Sequence, residues 1–154
     1  MLEAGNAVPD VTLVDADGAS FPLSRYRGAP FVLYFYPKAD TPGCTNEAKD
    51  FTELAADFAA AGVPVVGVSK DKPAKLAKFR DKYDLKLLLA SDEEGGVCEA
   101  FGTWVEKSMY GRTYMGIARA TFLIDGEGAI VRVWPKVKVK GHAAEVLEAV
   151  KALG

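Results

Sequence analysis

An apolar segment that ends at a proline and leads directly into a helix start constrains the fold of this chain most. Phe31–Tyr36 holds only aromatic and branched or long apolar side chains, without polar alternation. This pattern is typical of a central strand that is covered on both faces. Pro37 follows, and then Thr41 and Pro42 predict a helix start. The threonine hydroxyl would act as N-cap, and proline is well suited to the first helical position because no N–H is needed there.

Cys44 falls in the first turn of this predicted helix. An apolar stripe continues from it at helical spacing through Ala48, Phe51, Ala55 and Phe58. We therefore expect the thiol to face the sheet, beside unpaired N–H groups at the positive end of the helix. Such surroundings favour the thiolate, which is the nucleophilic form of cysteine. The sequence predicts a reactive cysteine at the carboxyl end of a strand, where ligand sites of open α/β sheets gather. The alternative is a small, inert, buried residue.

The same residues carry a family resemblance. Pro37, Thr41 and Cys44 fit the Pro-x-x-x-(Thr/Ser)-x-x-Cys signature of peroxiredoxins, and the segment 41–47 resembles the form found in the bacterioferritin comigratory protein branch, also called peroxiredoxin Q. Further matches cover nearly the whole chain: Gly67–Ser69, Ser91, Asp92, Phe101, Gly102, Glu106–Ser108, Tyr110, Gly111, Gly116, Ile117, Arg119–Asp125, Lys136–Val139, Gly141 and His142.

The resemblance implies a thiol peroxidase that reduces hydrogen peroxide and organic hydroperoxides. The Cys44 thiolate would attack the peroxide and become a sulfenic acid. Thr41 would link sulfur and substrate through its hydroxyl, and Pro37 would shape the loop and limit water access. Gly43, in the first turn of the helix, is expected to support the site. No cofactor and no metal, flavin or haem is expected, because sulfur carries the redox chemistry.

Arg119 is predicted to belong to the same site. It stands at the beginning of an apolar strand, and arginine is rarely buried without a partner. A structural explanation is an ion pair with a carboxylate such as Glu47, and we expect that pair to be present. The family resemblance adds a catalytic role, in which the guanidinium lies near Cys44, holds the thiolate and orients the peroxide.

The regeneration of Cys44 is the least determined step. In the resembled branch a resolving cysteine stands at one of two positions, which Lys49 and Arg80 occupy here. Cys98 remains, but it shares the apolar side of a short predicted helix, so a resolving role for it is disfavoured. We expect a one-cysteine cycle in which glutathione, a glutaredoxin or a thioredoxin-like protein attacks the Cys44 sulfenic acid.

Two alternative functions would use the same Cys44 thiol. A thioredoxin-type disulfide oxidoreductase needs Cys-x-x-Cys, and Thr41 stands in the place of the first cysteine. A non-enzymatic redox sensor or chaperone-like module differs from the enzyme only in its rate of reaction with peroxide.

Composition narrows the function further. The 154 residues are expected to form one domain, 1–154, and 19 basic against 21 acidic residues leave a net charge of −2. No basic block predicts binding to nucleic acid or to an anionic membrane surface. The N-terminus lacks the pattern of a signal peptide, and the longest apolar run, 29–36, is too short to span a bilayer. With only two cysteines we expect a cytoplasmic protein. We also expect a monomer or weak homodimer.

The order of predicted elements gives the fold class. An N-terminal hairpin, two strand–helix units, a further strand and short helix, a hairpin over 120–134 and a closing helix from His142 predict an α/β protein. The expectation is a thioredoxin-like fold, three-layer α/β/α around a mixed sheet, with an N-terminal β-hairpin extension. The helix of Cys44 should run to Gly62, and Trp104–Ile117 should be an irregular hairpin or loop. Alternating lysines over 136–140 predict a solvated strand face.

Overall fold

A seven-stranded mixed sheet forms the centre of the computed structural model, which describes residues 1–153. The strands are β1 Thr12–Asp15, β2 Ser20–Pro22, β3 Phe31–Phe35, β4 Val65–Ser69, β5 Leu88–Ser91, β8 Ala120–Ile124 and β9 Ile130–Trp134. Their order in the sheet is β2-β1-β5-β4-β3-β8-β9. β3 pairs in parallel with β4 and β4 with β5, whereas β8, β9, β1 and β2 join through antiparallel pairs.

Helices cover both faces of this sheet. They are α1 Pro42–Glu53, α2 Ala55–Ala60, α3 Pro73–Tyr83, α4 Val97–Phe101 and α5 His142–Lys151, with a 3₁₀ turn at Leu23–Tyr26. The side chains of α1, α2, α3 and α5 share one apolar core with every second residue of β3, and α4 and the 3₁₀ turn share the other core with the alternate residues. All five residues of β3 are buried, as the unbroken apolar pattern predicts.

The predicted fold class is therefore confirmed. The sheet is mixed and lies between two helical layers, which is the thioredoxin-like arrangement that the sequence predicts. The N-terminal hairpin β1–β2 extends the sheet by pairing β1 with β5. Since β3 and β4 are parallel, their carboxyl ends lie at one edge of the sheet, and this edge holds the site.

The helix of Cys44 is shorter than predicted. It breaks at Leu54, whose ψ of 7° leaves the helical region, and a second short helix, α2, follows. The break keeps the apolar side in contact with the core, because Phe51 and Phe58 still pack at 5.9 Å between ring centroids. Gly62 ends α2 as predicted, with φ of +72° and a hydrogen bond from the Val63 N–H to the Phe58 carbonyl.

Two other segments also differ from the sequence prediction. The stretch 104–117 is a regular hairpin, β6 Trp104–Met109 and β7 Arg112–Ile117, closed by Tyr110 and Gly111 with φ of 52° and 78°. Both positive angles belong to a two-residue turn that matches strand twist, so the hairpin needs no irregularity. The prediction of a strand face for the lysines of 136–140 is wrong. β9 ends at Trp134, before Pro135, and the lysines lie in the loop before α5.

Candidate active site

Cys44 lies where the sequence predicts it, in the first turn of α1. The segment 37–41 links the end of β3 to this helix, and Thr41 takes the N-cap position with Pro42 after it. Cys44 is 2% exposed and packs in the same core as Ala48 and Phe51. The first N–H groups of a helix have no carbonyl partner within it, so the sulfur lies at a partly positive helix end.

Arg119 reaches this sulfur from the link between β7 and β8. Its Nη2 donates to Cys44 Sγ at 3.4 Å, and its Nη1 donates to Glu47 Oε1 at 2.8 Å. The predicted ion pair between Arg119 and Glu47 is thus present. Gly43 makes room for the guanidinium, because a Cβ at this position would lie 3.2 Å from Arg119 Nη2. One planar cation therefore contacts the nucleophile and a buried carboxylate at the same time.

Glu47 is the anionic side of this arrangement and is almost fully enclosed. Its side chain is 1% exposed, and within residues 1–153 its Oε2 has no hydrogen-bond partner. Burial raises the pKa of Glu47 to about 7, and the Arg119 charge and hydrogen bond oppose this rise. Tyr34 Oη is also buried without a partner in the described chain, and burial together with Glu47 raises the pKa of Tyr34 well above its ordinary value.

The Thr41 hydroxyl does not cap the helix, which corrects the sequence prediction. It donates instead to the Lys38 carbonyl at 2.8 Å and so closes the loop that Pro37 begins. The donor of the hydroxyl is used in this bond, so its oxygen is free to act as an acceptor.

Two aspartates hold the segment 37–41, and neither is among the site residues predicted from the sequence. Asp71 follows β4, and its Oδ2 accepts the Ala39 N–H at 2.7 Å. Asp40 has φ of 62°, and Tyr83 Oη and Lys82 Nζ at the end of α3 donate to its carboxylate at 2.6 and 2.9 Å. The signal that points to Asp71 is its position two residues after the end of the buried parallel strand β4, because neighbouring strand ends share one edge.

The arrangement as a whole suits attack by the Cys44 sulfur on a bond whose leaving group becomes negatively charged. The sulfur stands at a helix N-terminus, and a guanidinium lies against it. Preorganised donors at such a position stabilise charge that develops in the transition state. Among residues 1–153, no three His, Cys, Asp or Glu side chains are grouped closely enough to hold a metal ion.

Comparison with known proteins identifies the family. A model of the AhpC/TSA family matches residues 4–133. Peroxiredoxin Bcp of Bacillus subtilis is 47% identical over 150 residues, which are 97% of this chain and 96% of that protein. This chain belongs to the AhpC/TSA family of peroxiredoxins. It is a thiol-dependent peroxidase, an enzyme whose substrates are peroxides and whose electrons come from thiols.

Two solved structures support the assignment of this chain to the peroxiredoxins. Peroxiredoxin Q of Xanthomonas campestris is 43% identical, with a TM-score of 0.90 over 99% of this chain and 96% of that one. The bacterioferritin comigratory protein of the same organism, solved in complexes that concern its alkyl peroxide reduction, is 40% identical. Its TM-score is 0.88 over 96% of this chain and 98% of that chain.

Cys98, the second cysteine of the peroxiredoxin, lies away from this site. It is fully buried in α4 and belongs to the apolar core on the opposite face of the sheet from Cys44. Burial and the nearby Asp92 raise the pKa of the Cys98 thiol. The Asp92 carboxylate also accepts the Val97 and Cys98 N–H groups at 2.9 and 2.7 Å, so it caps the start of α4.

The two positions where the resembled branch carries a resolving cysteine are engaged in other contacts. Lys49 Nζ lies 4.9 Å from the centroid of the Tyr83 ring, and Arg80 forms ion pairs with Asp17 and Asp81. The sequence therefore places charged side chains, rather than thiols, at these two positions of α1 and α3.

His142 begins α5, as the sequence predicts, and is enclosed by the core. Its Nε2 lies 2.8 Å from Thr121 Oγ1, and burial lowers the pKa of His142 to about 4. No helix among residues 1–153 combines the length and the apolar character that crossing a bilayer requires.

Proposed function

We propose that Cys44 is the peroxidatic cysteine of this enzyme and that Arg119, Thr41 and Pro37 form the catalytic site with it, supported by Glu47 and Gly43. The substrates are hydrogen peroxide and organic hydroperoxides. The observation that carries this proposal is the double contact of Arg119, which donates to Cys44 Sγ at 3.4 Å and to Glu47 Oε1 at 2.8 Å.

The first step is an in-line displacement at oxygen. The Cys44 thiolate attacks the terminal peroxide oxygen, the S–O bond forms and the O–O bond breaks. Sulfur is oxidised by two electrons to sulfenic acid, and the peroxide is reduced to an alkoxide or hydroxide that takes a proton from solvent. The Arg119 guanidinium and the N–H groups at the start of α1 stabilise the charge on the leaving oxygen.

Thr41 and Pro37 position the peroxide in this step. Because the Thr41 hydroxyl donates to the Lys38 carbonyl, its oxygen accepts the hydrogen bond of the peroxide O–H. The peroxide proton then points away from sulfur, and the terminal oxygen is presented to the thiolate. Pro37 fixes the chain at the end of β3 and offers no N–H that water could bind.

An external thiol completes the cycle. It attacks the sulfenic sulfur of Cys44, water leaves, and a mixed disulfide forms. A second thiol then attacks the external sulfur, which releases the Cys44 thiolate and a disulfide of the two reductants. The placement of Cys98 on the opposite face of the sheet supports this one-cysteine cycle. Glutathione, a glutaredoxin or a thioredoxin is the proposed reductant, and the proposed state is a monomer or weak homodimer. Two free cysteines fit the reducing conditions of the cytoplasm, where we propose that it acts.

Two cysteine variants test the identity of the nucleophile. Cys44→Ser should abolish peroxide consumption, whereas Cys98→Ser should keep the rate of the first oxidation step. The measurement is single-turnover oxidation by hydrogen peroxide, followed by stopped-flow. Rapid oxidation of Cys44→Ser, or its loss in a folded Cys98→Ser variant, would contradict the proposed roles.

A further inference from the structure

A cavity of about 380 Å³ lies next to the proposed site, between the segment that begins at Pro37, the end of β4 and the hairpin β6–β7. The apolar part of its wall consists of Pro37, Trp104, Tyr114, Met115 and Ile117. Four charged side chains complete it: Lys38, Lys70, Asp71 and Lys107. Apolar walls with a few polar groups are typical of sites for small organic molecules.

Two of the four charges are already compensated. Lys70 pairs with Asp92 at 3.3 Å and with Glu99 at 2.9 Å. Asp71 pairs with Lys75 at 3.3 Å and accepts hydrogen bonds from Ser69 and the Ala39 N–H.

The other two charges have no partner: in the described chain, 1–153, neither Lys38 nor Lys107 takes part in an ion pair or a side-chain hydrogen bond. The cavity therefore carries an uncompensated positive charge.

Lys107 is the lysine of this cavity that interacts electrostatically with the proposed site. Its stem lies against β7 at Gly116, where a Cβ would stand 3.1 Å from Lys107 Cδ, so a larger residue at this position would crowd the stem. Lys107 is half-buried, and burial and the Arg119 charge lower its pKa, whereas Cys44 acts in the opposite direction. The ammonium therefore interacts electrostatically with both Arg119 and Cys44. An anionic group bound in this cavity would be stabilised by the positive charge of Lys107.

We propose that Lys107 anchors the carboxylate of an organic reactant in this cavity, with the reacting end of that molecule at Cys44. The inference rests on the proposed function, since it takes Cys44 as the reacting group. The ammonium pairs with the carboxylate, and Trp104, Tyr114 and Met115 contact the carbon chain. Two reactants of the cycle supply this chemistry, a hydroperoxide that carries a carboxylate and a small thiol that carries one.

Matched pairs of neutral and anionic reactants test the proposal. The variants are Lys107→Gln and, as a control of equal charge change, Lys78→Gln on the exposed side of α3, outside the cavity. In the first arm, a fatty-acid hydroperoxide and its methyl ester oxidise the reduced protein in stopped-flow. In the second arm, 3-mercaptopropionate and 2-mercaptoethanol reduce the sulfenic form. Hydrogen peroxide serves as the reference oxidant.

Lys107→Gln should slow one anionic reactant about fivefold, while its neutral counterpart and hydrogen peroxide stay within about twofold. A slower reaction of the acid hydroperoxide assigns the anchor to the peroxide, and a slower reaction of the anionic thiol assigns it to the reductant. The effect should shrink as salt is raised, since the pair is partly exposed. If Lys107→Gln slowed neither the acid hydroperoxide relative to its ester nor 3-mercaptopropionate relative to 2-mercaptoethanol, the anchor would be overturned and the peroxidase function would remain intact. Equal slowing of every reactant, hydrogen peroxide included, would also overturn it, because Lys107 would then act on the reacting atoms.

Discussion

Replacing Arg119 by lysine keeps a positive charge at the site but removes the planar pair of donors. In the structure one guanidinium serves two acceptors, Glu47 Oε1 at 2.8 Å and Cys44 Sγ at 3.4 Å. A lysine ammonium is a compact point charge and cannot reproduce this fork. It should remain with Glu47, because that carboxylate is 1% exposed and an unpaired buried charge is strongly unfavourable. The substitution therefore removes the hydrogen bond to the Cys44 sulfur.

The magnitude follows from the type of hydrogen bond that the substitution removes. A hydrogen bond to a charged group contributes about 1.5–3 kcal/mol. Each ~1.4 kcal/mol of transition-state stabilisation corresponds to a factor of ten in rate. Part of this interaction already exists with the thiolate in the ground state, and that part does not change the rate of the chemical step. Loss of the full ~3 kcal/mol would correspond to about a hundredfold, so after this reduction Arg119→Lys should slow oxidation of Cys44 by about tenfold or somewhat more.

The assay is stopped-flow oxidation of reduced protein by hydrogen peroxide in excess, which yields the second-order rate constant. Arg112→Lys on the exposed part of β7 is the matched control and should react like the parent protein. Circular dichroism and urea unfolding verify that each variant is folded. A near-normal rate constant for a folded Arg119→Lys protein would mean that Arg119 only stabilises the structure.

Two further predictions concern how the free energy of unfolding, measured with urea, depends on pH. Burial raises the pKa of Glu47 to about 7 in the folded protein, so its contribution to stability is full below pH 4.5 and is lost as the pH rises through 7. Relative to Glu47→Gln, the parent protein should lose about 3 kcal/mol of unfolding free energy between pH 4.5 and 8; a parallel dependence of the two proteins would contradict this. His142 acts in the opposite direction, because burial lowers its pKa to about 4, so its contribution is present above pH 6.5 and is lost as the pH falls through 4. Relative to His142→Asn, the parent should lose about 3 kcal/mol over that window, and an equal loss in both proteins would refute the role of His142.

Sequence reasoning works best here where one local pattern decides the structure. The apolar run 31–36 predicts a strand covered on both faces, Thr41 with Pro42 predicts a helix start after it, and both elements are present. These two features place Cys44. The pairing of Arg119 with Glu47 also follows from sequence, because few carboxylates are available to a buried arginine near that helix.

Features that depend on contacts between distant segments are not predictable in this way. Thr41 has the residue type of an N-cap, yet its hydroxyl bonds to Lys38 because the loop before it folds back. The break of the helix at Leu54 contains neither glycine nor proline, so no local signal marks it. The cavity next to Lys107 forms only when the hairpin packs beside the end of β4.

The chemical state of the cysteines after one oxidation tests the central claim most directly. Reduced protein is treated with one equivalent of hydrogen peroxide without added thiol, in the presence of a dimedone-type probe, and analysed by intact mass and peptide mapping. The proposed one-cysteine cycle predicts a sulfenic acid that the probe traps on Cys44, with Cys98 unmodified. Rapid and quantitative formation of a Cys44–Cys98 disulfide would contradict it, since the two thiols lie in cores on opposite faces of the sheet.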